Sequence, residues 1–326
     1  MHILITGAAG MIGRKLTARL VRDGALNGCA IERMTLTDVV APEQPAGATF
    51  AIATGASDLA AAGAAARAIG DRPDVIFHLA AIVSGEAEAD FDKGYRVNFG
   101  GARELLEAIR LTGDGYRPKL VFASSIAVFG APFPSAIGDE FFLAPLTSYG
   151  TQKAISELLL ADYTRRRFLD GVGIRLPTIV VRPGKPNKAA SGFFSSIIRE
   201  PLSGQEAVLP VSEDVRHWFA SPRAAIGFLV HAAGLTGDRL GARINLTMPG
   251  LCCTVGEEIA ALARLAGTDV ARLIRREPDE TVAKIVAGWP QNFDAHRATM
   301  LGFRAETSFE EIIRAHIEDE LGGRIA

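Results

Sequence analysis

Short, unbroken apolar runs at residues 2–6, 33–39, 75–79, 120–123 and 174–181 alternate with longer amphipathic stretches at 11–23, 95–111 and 148–167. A strand with one wet face alternates polar and apolar residues, so runs without alternation predict strands buried on both faces. Strands buried in this way run parallel and need helical crossovers to return the chain, which is what the amphipathic stretches supply. The pattern predicts an α/β fold with a doubly wound, mostly parallel sheet of the Rossmann type.

After residue 182 the text changes to "RPGKPNKAASGFFSSIIREPLSGQ", where Pro and Gly rule out one long regular element. The sheet domain is therefore expected over 1–182, completed by elements within 215–247. Residues 183–214 and 248–326 are expected to form a smaller, mostly helical C-terminal subdomain that binds substrate. Two helix starts there carry a hydroxyl residue followed three later by Glu, at Thr254/Glu257 and Ser308/Glu311. The Ala-rich stretch "LAAAGAAARAIG" predicts a plain crossover helix capped by Gly70.

The charge balance narrows the partners. Lys plus Arg number 35 against 37 Asp plus Glu, a net charge of −2, which gives no electrostatic reason to bind nucleic acid or an acidic membrane. The chain has three cysteines, two of them the adjacent Cys252 and Cys253, a spacing unsuited to a disulfide framework or a zinc site. A reducing, cytoplasmic setting, no metal and a small-molecule partner are expected. The start "MHILITGAAG" lacks the basic lead and apolar stretch of a signal peptide, and no apolar run reaches the ~20 residues needed to span a bilayer.

In "HILITGAAGMIGRKL" a strand passes into a helix through Gly7, Gly10 and Gly13. The first glycine permits a tight turn, the second lets backbone approach a pyrophosphate, and the third lets the helix pack close to the sheet. The helix N-terminus then offers free N–H groups and partial positive charge to the phosphates. The second strand, "RMTLTDVV", ends in Asp38, whose carboxylate can accept bonds from the adenosine ribose hydroxyls and repels the extra phosphate of NADP. The cofactor is expected to be NAD, which makes 1–182 the NAD-binding domain.

Tyr149 and Lys153 in "SYGTQKAISELLL" stand four apart at the start of a predicted helix and so share one face. An ammonium beside a phenol, together with the charge of an oxidised nicotinamide, favours the phenolate and makes the tyrosine a usable general base. Lys153 can also hold the nicotinamide ribose. In "LVFASSIAVFG" a strand ends in two serines where ligands gather in such a sheet, and one hydroxyl there can bond the substrate oxygen.

Together these segments resemble the extended short-chain dehydrogenase/reductases. "GAAGMIG" is similar to their glycine motif, "HLAA" to their fourth-strand motif, "SSIAVFG" to their serine motif and "YGTQK" to their Tyr-x-x-x-Lys, in order along nearly the whole chain. The resemblance implies catalytic Ser125, Tyr149 and Lys153, with Ser125 preferred to Ser124 because it lies three residues before the "VFG" that matches the family's Val-Tyr-Gly. It implies cofactor contacts at Gly7, Gly10, Met11, Ile12, Gly13, Asp38, Leu79, Ala80, Ala81, Asn98, Tyr149 and Lys153, with Asp58 and Leu59 as candidates near the adenine, in a register open by a residue or two, and substrate contacts at Ser125 and Tyr149. It also implies a homodimer formed through helices of the cofactor domain.

Many members act on nucleotide sugars and end their sixth strand in Arg-Tyr-Phe-Asn-Pro. Here "VVRPGKPN" places Arg182 at the Arg and Lys185 at the Asn, which favours a smaller substrate. The stretches "HLAAIVSGEAEADF" and "RLPTIVVRPGKPNKAASGFFSSIIREPLSG" most resemble the subgroup that oxidises C2 of D-erythronate with NAD, which implies 2-oxo-D-erythronate as product. A sugar acid needs a cationic site and hydroxyl partners. Arg216 matches the arginine that meets a substrate phosphate in the epimerases, with a surface ion pair as its plain alternative, and Ser84 and Asn187 are candidate hydroxyl partners. Arg175, Arg182, Lys185 and Lys188 form a basic set read as a solvated face rather than as a site. A nucleotide-sugar epimerase or dehydratase with tightly held NAD remains a rival, and a non-catalytic NAD sensor a lesser one.

Overall fold

The computed structural model describes residues 1–184 and 191–325. The sheet is built from β1 (His2–Thr6), β2 (Arg33–Asp38), β3 (Ala51–Ala56), β4 (Val75–His78), β5 (Lys119–Ser125), β6 (Asp170–Leu176) and β7 (Asn245–Thr247), in the order β7-β6-β5-β4-β1-β2-β3. It is a seven-stranded parallel sheet, with registers such as Ile3↔Val75 and Ile3↔Met34 on the two sides of β1. The order reverses at β1, so the loops after β1 and β4 open a crevice at the carboxyl ends of the strands.

The apolar runs become strands because both of their faces are covered. Ile3, Leu4, Ile5, Ile76, Phe77 and Val121 are buried against helices that include α1 (Met11–Asp23), α2 (Gly101–Thr112) and α3 (Ser148–Arg165), which bring in Leu16, Leu20, Leu105, Ile109 and Leu160. The amphipathic stretch read over 95–111 is one π-helical turn, Tyr95–Gly100, followed by α2. The Ala-rich stretch gives only a five-residue helix, Ala64–Ala68. Gly63 takes φ +70 at its start and prevents extension backwards, and the cap falls on Ile69 rather than Gly70.

The chain packs as two compact units, one of 1–128, 147–175 and 226–247, the other of 129–146, 176–225 and 248–326. The second unit has its own core of Phe194, Ile197, Ile198, Phe219, Val255, Leu262, Ile312 and Ile313. Both expected helix starts are present there, at Val255–Ala266 and Phe309–Glu320. Thr254 Oγ1 accepts from Glu257 N and Glu257 Oε2 accepts from Thr254 N, a reciprocal cap. At the other start the glutamate reaches one residue further back, to Thr307 N. Thr254→Ala is expected to lower unfolding stability by about 1 kcal/mol, read by chemical denaturation. No helix among the described residues is long and apolar enough to cross a membrane.

Candidate active site

The turn between β1 and α1 is shaped for a ligand rather than for a side chain. Gly7 takes φ +76, and a Cβ there would lie 2.6 Å from Ala80 N, so the turn and the loop after β4 touch backbone to backbone. Gly10 caps α1 without a side chain, and the first turn of α1, which starts at Met11 and Ile12, contains no acidic residue. Its amides thus face outward with the partial positive charge of a thirteen-residue helix behind them. Asp38, at the end of β2, accepts from Ala9 N (3.0 Å) and Val39 N (2.7 Å), which binds the turn to the second strand.

Gly7, Asp38 and Ala80 border an open cleft that Asp58, Leu59 and His78 also line. Leu59 is buried in its wall, while the Asp58 carboxylate pairs with Arg96 and accepts from Ala60 N. Leu79 and Ala80 follow β4 and are half-buried, and Ala81 is exposed. Asn98 has its amide engaged within the protein: Oδ1 accepts from Ile82 N (2.8 Å) and Nδ2 donates to Gln152 Oε1 (2.8 Å). It therefore anchors the loop after β4 to the helix that carries Tyr149.

Thr147 opens α3 as its N-cap, accepting from Gly150 N (3.0 Å), and sets Tyr149 and Lys153 on successive turns. Lys153 is 3% exposed, donates from Nζ to Ala123 O (2.8 Å), and lies 5.7 Å from the centre of the Tyr149 ring. Burial pushes its ammonium down to about 8, with the charge of Glu157 acting the other way. The two serines of β5 point to opposite sides, as alternation along a strand requires. Ser124 is buried and donates to Glu157 (2.5 Å), whereas half-buried Ser125 accepts from Ala127 N (3.1 Å) and keeps its own O–H to donate.

Residues 3–222 match the NAD dependent epimerase/dehydratase family. The chain belongs to that family. The family is NAD-dependent, and the side-chain-free turn at Gly7, Gly10 and Gly13 fits a dinucleotide. Among family relatives, a D-erythronate dehydrogenase of Cupriavidus necator is 49% identical over 98% of this chain and 98% of its own length. A D-erythronate dehydrogenase of Haemophilus influenzae is 40% identical over 98% of this chain and all of its own. A crystal structure described as a nucleoside-diphosphate-sugar epimerase from Agrobacterium tumefaciens superposes with a TM-score of 0.98 at 63% identity, covering all of this chain and 96% of its own.

The sixth-strand reading is corrected by the structure. β6 ends at Leu176, before Pro177, so its arginine is Arg175 and not Arg182. Arg175 is no member of a solvated face, because it is buried in a two-pronged pair with Glu157 (Nη2 to Oε2, 2.8 Å). Arg182 folds back on its own loop, donating to Ile179 O (2.9 Å) and Ser191 Oγ (2.9 Å). Lys185, Asn187 and Lys188 lie outside the described residues. Ser84 opens the short helix Ser84–Ala89, and Arg216, exposed on the strand Arg216–Ala220 of the second unit, donates to Cys252 Sγ (3.8 Å). Sequence reading missed Glu157, although a carboxylate one turn after Lys153 on a buried helix face was a usable signal.

Proposed function

We propose that the chain oxidises the C2 hydroxyl of a small sugar acid, D-erythronate to 2-oxo-D-erythronate, with NAD⁺ as acceptor. The observation that carries the reading is the full-length likeness to two D-erythronate dehydrogenases at 49% and 40% identity. The arrangement of Ser125, Tyr149 and Lys153 in one unit supplies the parts such an oxidation needs.

In this mechanism the glycine turn holds the dinucleotide's phosphates on the first amides of α1, and Asp38 receives the adenosine ribose hydroxyls. When bound, the nicotinamide ring supplies the acceptor for the hydride of C2. Ser125 donates its O–H to the C2 oxygen and fixes the substrate against the base. Tyr149 takes the hydroxyl proton at its phenolic oxygen. Lys153 holds its ammonium beside Tyr149, favouring the phenolate, and has N–H groups beyond the bond to Ala123 O for the nicotinamide ribose. Ser84, which opens the short helix Ser84–Ala89 of the same unit, is a candidate partner for the hydroxyls of the acid. The exposed Val39 and Val40 after Asp38 offer no cation to an extra phosphate, which supports NAD over NADP. A homodimer is part of the proposal, supported by exposed Leu111 on α2 and Leu158 on α3.

The name of the Agrobacterium structure favours a second reading, a nucleotide-sugar epimerase that recycles tightly held NAD. Mixing the protein with D-erythronate and NAD⁺, with NADP⁺ in parallel, separates the two. Steady NADH formation with NAD⁺ is expected and at least about tenfold less turnover with NADP⁺, the extra phosphate meeting Asp38 without a cation to pair it. No net NADH, with interconversion of nucleotide sugars, would establish the second reading instead.

A further inference from the structure

Three elements of the sheet unit meet at one carboxylate, and a fourth supports them from behind. Glu157 lies on α3 one turn beyond Lys153 and is fully buried. It accepts from Ser124 Oγ at the end of β5 (2.5 Å) and from Arg175 on β6 (Nε 3.0 Å, Nη2 2.8 Å). From β7, Thr247 Oγ1 accepts from Arg175 Nη1 (3.4 Å) and Asn245 Nδ2 donates to the Glu157 carbonyl (3.1 Å).

A buried carboxylate and a buried ammonium thus stand one turn apart on the same helix, with a guanidinium paired to the carboxylate. We propose that Glu157 is a positioning residue of the active site, the buried counter-charge that keeps Lys153 protonated beside Tyr149, fixed in place by Ser124 and shared with Arg175. The proposal rests on the reading of Tyr149 and Lys153 given above. A buried ammonium loses its proton readily unless an opposite charge stands near it. From β4, His78 faces Lys153 as a neutral ring, its imidazole pushed down to about 3 by burial and by Lys153 itself. From β5 come Ala123 O and the Phe122 ring, 4.9 Å from Nζ. From α3 itself come Tyr149 and Glu157, and from β6 Arg175 behind Glu157. Glu157 is the carboxylate of this set, and it opposes the effect of burial on Lys153.

The sign of the effect separates this role from plain support of the fold. Glu157→Gln keeps the shape, removes the counter-charge and leaves Arg175 positive, so Lys153 should lose its proton earlier. Arg175→Met releases the whole carboxylate to Lys153, which should hold its proton longer. Titrating Lys153 through the Cε signals of isotope-labelled lysine, assigned by their loss in Lys153→Met, is expected to show a midpoint about one pH unit lower in Glu157→Gln and a higher one in Arg175→Met. Midpoints that coincide with wild type, or that move in the same direction in both variants, overturn the proposal. Should a single variant fail to fold, the neutral pair Glu157→Gln/Arg175→Met decides: a midpoint below wild type is expected, and an unchanged one overturns the proposal. The same proteins are assayed with D-erythronate and NAD⁺ across pH. The ratio of wild-type to Glu157→Gln kcat is expected to grow with pH and the ratio to Arg175→Met to shrink. A wild type inactive on D-erythronate sinks the substrate reading alone, because the lysine titration needs no turnover.

Discussion

Tyr149→Phe is expected to lower kcat by about 10²–10⁴-fold, the range that a positioned general base contributes. The change removes one oxygen from a half-buried ring at the start of α3 and leaves the N-cap bond from Gly150 N to Thr147 in place. The helix should therefore form as before, and NAD should bind with affinity changed by less than about threefold, since the glycine turn between β1 and α1, which holds the phosphates in the proposal, is untouched. Steady-state rates with D-erythronate, set beside cofactor affinity from fluorescence titration and a melting curve, check all three statements. Retained turnover would take the base away from Tyr149 and leave Lys153 without its proposed purpose.

In the proposed mechanism the helix contributes more than the Tyr-x-x-x-Lys pair. A phenol and an ammonium at successive turns are within reach of each other in any helix. What this chain adds is burial of the lysine at 3% exposure, a strand carbonyl to take one of its hydrogens, and a carboxylate a further turn along. The cost of burying that carboxylate is offset by Arg175, so α3 carries the proposed base and its lysine on one stretch and a charge clamp on the next turn.

Much of this was legible in the sequence because the relevant groups are close along the chain. The glycine turn, the serine pair and the Tyr-x-x-x-Lys are short segments, and β1, β2 and β4 appear at the apolar runs to within a residue. β3 was not legible, because Ala51–Ala56 is a mostly exposed edge strand of Ala, Thr and Gly with no apolar run. The Ala-rich helix was overestimated because propensity says nothing of Gly63 adopting a left-handed conformation. β6 was placed too late, since the apolar run continues past Pro177 although the strand does not. The charge clamp was hidden for another reason: Arg175 and Ser124 lie 18 and 33 residues from Glu157, and only the packing of β5 and β6 against α3 brings them together. Periodicity finds faces of single elements, while such a cluster belongs to several at once.

Gly13→Ala tests the glycine turn by the sign of its effect. Helix propensity alone favours the change by about 1 kcal/mol, since Gly13 sits inside α1. The Cβ it adds would run into Gly7 O and lie 2.6 Å from Ala8 Cα, all of it backbone, so no side-chain rotation relieves the clash. Overpacking costs about 1–3 kcal/mol, and with three backbone atoms within 2.9 Å the upper end applies, so the clash should outweigh propensity and leave the variant less stable by up to about 2 kcal/mol. The strain falls on the turn that presents its amides to the phosphates, so NAD affinity should drop by at least about tenfold, a loss of about 1.4 kcal/mol. Gly227→Ala supplies the contrast: Gly227 is exposed within the helix Pro222–Ala233 and its added Cβ meets nothing within 4 Å, so propensity should act unopposed and raise stability by about 1 kcal/mol. Denaturation curves with and without NAD⁺ for both variants decide the matter. A Gly13→Ala protein as stable as Gly227→Ala and binding NAD as wild type does would mean that α1 can move off the turn freely, and the close approach would then have no part in holding the cofactor.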